Sequence, residues 1–129
     1  MINTIHQTVY FLLLIFLAAC GDSTPQLERL SDDAIILAFG NSLTYGTGAN
    51  KGESYPVVLE NTIHRKVINA GIPGELSIQG LKRLPNLFDK YQPNLLILCH
   101  GGNDIIQKKD LAETETNIRQ MISLSESKN

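Results

Sequence analysis

Ala34-Ile-Ile-Leu-Ala-Phe39, running directly into Gly40-Asn-Ser-Leu-Thr44, decides the fold of this 129-residue chain. An unbroken apolar run of this length suits a strand covered on both faces, as in a parallel sheet. The glycine-rich segment from Gly40 to Gly52 ends it. Working outward, short apolar runs alternate with longer amphipathic ones, the pattern of βαβ units. A helix is predicted from Tyr55 to Ile63, with Ser54 as N-cap and Pro56 in the first turn, where its missing N–H costs nothing. Lys66 to Ala70 is a second, β-branched strand that stops at Gly71.

From Ser77 to Lys90 apolar residues recur at Ile78, Leu81, Leu84 and Phe88, three and four apart as one helix face requires. Pro85 lies inside that helix and predicts a kink or a break into two pieces. The third strand is Leu95 to Cys99, introduced by Pro93 and closed by Gly101-Gly102. A last helix starts at Asp110, where Asp110-Leu-Ala-Glu113 resembles a capping box and Leu111, Ile118, Met121 and Ile122 share a face. Beyond Leu124 the polar tail is expected to fray. The domain proper therefore spans residues 34–129.

Toward the N-terminus, residues 9 to 19 form an uncharged run, Val-Tyr-Phe-Leu-Leu-Leu-Ile-Phe-Leu-Ala-Ala. It is shorter than the roughly 20 apolar residues of a spanning helix but has the length of a secretory h-region. Leu17-Ala-Ala-Cys20-Gly21 resembles a bacterial lipobox. That resemblance implies a signal peptide over residues 1–19, lipidation at Cys20, and a polar tether over residues 20–33. A plain secretory signal or an N-terminal anchor helix are the alternatives, and the lack of Lys and Arg before the apolar run argues against the lipoprotein reading. On the lipoprotein reading the protein sits on the extracytoplasmic or periplasmic side of a bacterial membrane, held through Cys20.

The formal charge is −2, and no residue of 1–19 contributes to it. Without Lys/Arg clusters there is no electrostatic footprint for nucleic acid. With Cys20 acylated, Cys99 has no partner for a disulfide, and its place in Leu95-Leu-Ile-Leu-Cys99 reads as a small buried hydrophobe. Gly40, Gly46 and Gly48 match neither a P-loop nor Gly-x-Gly-x-x-Gly, and no His/Cys/carboxylate cluster has metal spacing, so no cofactor is expected.

Parallel strands send the loops that follow them to one edge of the sheet, where open α/β folds bind ligands. Here those loops hold Gly40-Asn41-Ser42-Leu43-Thr44, Asn69-Ala-Gly-Ile-Pro-Gly74 and Gly101-Gly-Asn103-Asp104. A hydroxyl, glycine N–H groups and a side-chain amide are parts that acyl transfer needs. Asp104 is expected to stabilise its own loop. Tyr45 and Tyr55 are expected near the cleft, with packing as their main role.

Ile36 to Thr44 resembles the first block of the GDSL, or SGNH, hydrolases, Asn69 to Gly74 the second, and Gly101 to Asp104 the third. The resemblance, closest to the arylesterase and lysophospholipase branch, extends over about residues 34–124. It implies a three-layer α/β/α, flavodoxin-like SGNH fold with a parallel sheet, incomplete here at about three strands. It implies Ser42 as nucleophile, with Ser42 N–H, Gly74 N–H and the Asn103 side chain as the oxyanion hole. Asn41 stands where the family usually has Asp, which keeps the loop's shape and drops a charge. Asn41, Tyr45 and His100 are the expected substrate-side residues, His100 as a rim residue of the cleft. The substrates implied are carboxylic esters: aryl esters, small acyl esters or lysophospholipids.

Family members complete the triad with Asp-x-x-His, and no such motif occurs in these residues. The histidine takes the serine proton, so Ser42 alone remains a weak nucleophile. The expectation is a truncated gene product whose intact relatives are hydrolases, with a non-catalytic remnant or an acyl- or glycan-binding lipoprotein as the alternative. Self-association through an open strand edge is expected as well.

Overall fold

The structure, a computed structural model, describes residues 29–128. The leader, Cys20 and most of the tether lie outside them. In chain order the elements are β1 (Ile35–Gly40), α1 (Ser42–Tyr45), α2 (Tyr55–Ile63), β2 (Lys66–Gly71), α3 (Ser77–Tyr91), β3 (Leu95–Cys99), α4 (Gly102–Ile106) and α5 (Leu111–Glu126). The three strands form one parallel sheet in the order β2-β1-β3.

Alternation along β1 explains why its whole run is apolar. Leu37 and Phe39 point to one face, where they meet Leu84 and Phe88 of α3 and Met121 of α5. Ile36 and Ala38 point to the other, against Val67 and the α2 residues Leu59 and Ile63. Residues 36–39 are at most 1% exposed. Full burial of a Leu, Ile or Phe side chain contributes about 1.5–3 kcal/mol, so the central strand is the main source of cohesion.

The layer assignment follows from chain direction. From β1 the chain moves to β2 on one side, then crosses back past β1 to β3 on the other. Right-handed crossovers in opposite directions require their helices on opposite faces, and α2 and α3 are so placed. Because α5 shares the α3 face, the chain leaves β1 and β3 toward opposite faces. A crevice opens between those two strand ends, at the switch point of the sheet.

Three expectations need correction. α3 runs as one helix through Pro85, so the expected break into two pieces is absent. The proline removes one backbone donor, but Leu84 and Phe88 on either side of it are anchored in the core, which holds the helix together. α5 continues to Glu126 rather than fraying at Leu124, which packs at the edge of that core. The first and third loops are not simple loops, since each opens into a short helix, α1 and α4. Asp110 does cap α5, its carboxylate accepting from Glu113 N at 2.9 Å.

Contacts with the domain begin before β1. Arg65 donates to the carbonyls of Leu30 and Ser31 and pairs with Asp32 at 2.7 Å.

Candidate active site

Loop one is held by its own side chains. Asn41 is the N-cap of α1, with Oδ1 accepting from Leu43 N at 3.1 Å, and it is buried. This is the capping role that an Asp could also fill, which is why the loop keeps its shape with Asn. Ser42 follows as the first residue of α1 and is half-buried. Its backbone N–H has no acceptor within its own helix, as holds for every first-turn N–H. Thr44 points inward and shares a 3.2 Å hydrogen bond with Tyr55 OH. Burial pushes the Tyr55 phenol above its ordinary pKa, with the Thr44 contact opposing.

Loop two is stitched to loop one. Ile72 N donates to Gly40 O at 3.0 Å, and Asn69 Nδ2 donates to Tyr45 O at 3.3 Å while its Oδ1 accepts from Gly71 N. Gly71 lies against the backbone of Thr44 and Tyr45 so closely that a Cβ would overlap it. Gly74 has φ +77°, a conformation that favours glycine, and among the described residues no backbone acceptor takes its N–H.

The third loop closes the set. A Cβ on Gly102 would touch Asn41 Nδ2, so α4 abuts α1. Asn103 Nδ2 donates to Glu75 O at 2.9 Å, one residue beyond Gly74. The loops that carry Ser42, Gly74 and Asn103 are thus physically joined at the carboxyl edge of the sheet. Tyr45 is 58% exposed beside them.

Two buried polar assemblies lie under these loops, and the sequence alone did not single them out. Glu75 is held by both Arg83 Nε at 2.6 Å and Nη2 at 2.7 Å, and Arg83 also donates to Ala70 O and lies over the Phe39 ring at 4.2 Å. Asp104 accepts from Ser77 N at 2.9 Å and from Ser77 Oγ at 2.7 Å, and Asn117 Nδ2 donates to Ser77 Oγ at 3.0 Å. Asp104 therefore caps the N-terminus of α3 and ties α4 to it, so its carboxylate acts beyond its own loop, while Asn117 ties α5 to the same Ser77 hydroxyl. The partial positive charge of that helix end offsets the burial of its carboxylate. The legible signal was spacing: Ser77, Gly80 and Leu84 fall on one inward face, and small residues there mark a close approach.

His100 is not a rim residue. Its side chain is fully buried, packed against Phe39 at 4.9 Å between ring centroids and under Gly80. It comes within 3.2 Å of Glu75 Oε2, but at an angle that gives neither ring nitrogen a hydrogen bond. Burial pushes its pKa below the ordinary value, Glu75 opposing and Arg83 assisting. The reason for the misreading is register: residues of β3 alternate in direction, and position 100 continues the inward series of Leu96 and Leu98. Among the described residues no group of three His, Cys, Asp or Glu side chains could hold a metal ion.

A parallel sheet with a serine at the end of its central strand, and amide donors on the two neighbouring loops, defines the α/β serine hydrolase class. Within that class the chain belongs to the GDSL-like Lipase/Acylhydrolase family, which matches residues 38–129. It is 32% identical over 116 residues to the "Thioesterase 1/protease 1/lysophospholipase L1" of Escherichia coli (strain K12), covering 88% of this chain and 50% of that protein. It is 33% identical over 94 residues to an arylesterase of Vibrio mimicus, covering 69% of this chain and 47% of that protein. Among solved structures, AlinE4, a SGNH-hydrolase family esterase, superposes with TM-score 0.72 at 33% identity, over 78% of this chain and 57% of that one. The chain spans about half the length of the curated relatives it matches.

Proposed function

We propose that this chain carries the nucleophile and the oxyanion donors of a serine hydrolase acting on carboxylic esters. The observation that carries the reading is the joining of three loops at the switch point, with Ser42, Gly74 and Asn103 on them. Ser42 Oγ attacks the ester carbonyl. The oxyanion of the tetrahedral intermediate is met by Ser42 N–H, Gly74 N–H and Asn103 Nδ2, the alcohol departs, and water releases the acyl group from Ser42. The proton from Ser42 needs a base that these 129 residues do not supply in an Asp-x-x-His motif, and buried His100 is not placed to serve.

The substrate reading is aryl esters, small acyl esters or lysophospholipids. It is supported by the names of the relatives and by exposed apolar side chains on the site loops, Leu43, Tyr45, Ile72, Ile105 and Ile106. The cellular reading is a lipoprotein anchored through Cys20 to the extracytoplasmic face of a bacterial membrane, supported by the lipobox-like Leu17 to Gly21. Metabolic labelling with an alkyne fatty acid, lost in Cys20→Ser, is the expected result there.

The catalytic reading is tested by treating the purified chain with a fluorophosphonate, with and without imidazole as an external base. A covalent adduct mapped to Ser42 by mass spectrometry, faster with imidazole and absent in Ser42→Ala, is expected. No Ser42 adduct under either condition overturns the reading and leaves a non-catalytic binding protein.

A further inference from the structure

The geometry points to Glu75 and Asp104 as paired positioning residues that fix which way the Asn103 amide faces, leaving one of its N–H bonds free for the oxyanion. The inference rests on the reading of Asn103 as an oxyanion donor and extends it to why that donor is aimed. A primary amide has two N–H donors and one acceptor, and nothing intrinsic to Asn decides which end faces a ligand. Here Nδ2 donates to Glu75 O at 2.9 Å. That bond settles the orientation and occupies one N–H. The second N–H remains on the same nitrogen, directed by the first.

The Glu75 carbonyl can aim Asn103 only if it is itself immobile. Its side chain supplies the constraint. The carboxylate, 5% exposed, is gripped at both oxygens by Arg83, whose Nη2 also holds Ala70 O at the end of β2. Loop two is therefore braced at Ala70 and at Glu75, on either side of Gly74. Two parallel N–H···O bonds to one guanidinium fix direction as well as distance.

Asp104 provides the second constraint, from the other side of Asn103. Its carboxylate takes the N–H and the hydroxyl of Ser77, and Asn117 completes the hydroxyl's bonding. Asp104 and Ser77 are 3% and 0% exposed. The peptide that carries Asn103 is thus tied to the start of α3, two residues beyond Glu75. Donor and acceptor are thus both tied close to the start of α3, Asn103 through its neighbour Asp104 and Glu75 through the chain, which fixes the length of the Asn103 bond.

Side-chain amide NMR of the whole chain tests this without turnover. In the wild type the two Nδ2 protons of Asn103, assigned by their loss in Asn103→Asp, should differ in exchange rate, one protected and one open. Glu75→Gln, which keeps the backbone carbonyl and breaks the grip, and Asp104→Asn should remove that difference while β1 amides stay unshifted. The same variants should slow phosphonylation of Ser42 by about 100-fold, the loss a misplacement near 1 Å brings, with little change in reagent affinity. Ser77→Ala, which removes one hydroxyl, carries the same test should the carboxylate variants not fold. Unchanged Asn103 protons in folded variants overturn the inference. A lost difference in a chain whose wild type forms no Ser42 adduct upholds the positioning and overturns the esterase reading instead.

Discussion

At the scale of single residues, the site is a set of donors whose aim is decided by neighbours. Asn103→Ala removes the proposed oxyanion donor and should lower the rate of Ser42 phosphonylation by about 100-fold or more, measured as adduct formation over time. His100 makes a different prediction. Unfolded, it titrates near 6.5, and folded, burial holds it lower, with Arg83 assisting and Glu75 and Asp104 opposing. Below about pH 6.5 the unfolded chain therefore binds a proton that the folded chain refuses, and stability falls as pH drops toward the depressed folded value. The contribution is fully present above pH 6.5. Urea midpoints should decline between pH 7.5 and 5.5, and His100→Leu should flatten that decline.

Two of the residues proposed to do chemistry, Ser42 and Asn103, were legible in the sequence because each is the polar exception at the end of an apolar run. Ser42 follows β1 and Asn103 follows β3 with little between. Glu75, Arg83 and Asn117 were not, because their partners lie 8 to 40 positions away and only folding reveals the pairing. His100 was misplaced for a related reason. Its neighbours in sequence are loop glycines, while its direction is set by the pleat of β3.

At the scale of elements, burial rather than propensity settles what the chain does. Pro85 should break a helix read in isolation, yet α3 is continuous because its inner face is fixed at Leu84 and Phe88. The strands were legible since β1, β2 and β3 are short and bounded by glycine. α1 and α4 were not, being one turn each and held by tertiary contacts. Two substitutions probe this scale. Arg83→Met leaves Glu75 buried without a partner and should cost about 3–5 kcal/mol in denaturant unfolding. Gly71→Ala drives a methyl into the backbone of Thr44 and Tyr45 and should part loops one and two. Its expected cost is about 1–3 kcal/mol or more, read the same way.

At the scale of the whole molecule, the sheet has one inner strand and two outer ones. β1 has partners on both sides, and among the described residues β2 and β3 are each paired only with β1. All five β3 residues are half-buried, where four of β1's are at most 1% exposed. An outer edge of this kind presents unpaired N–H and C=O groups to any strand that can reach it. Concentration-dependent association of the purified chain, seen by sedimentation velocity, is expected. A monodisperse monomer across a hundredfold range of concentration, with cooperative melting, contradicts it.

The bond from Asp104 to the first amide of α3 has a kinetic reading as well. A helix end whose leading N–H is satisfied by another segment cannot open until that segment lets go. Backbone amides at the start of α3 and in α4 should therefore exchange with deuterium as one cooperative unit, at a common free energy. The carboxyl edge of the sheet would then lose its shape in a single step, ahead of β1.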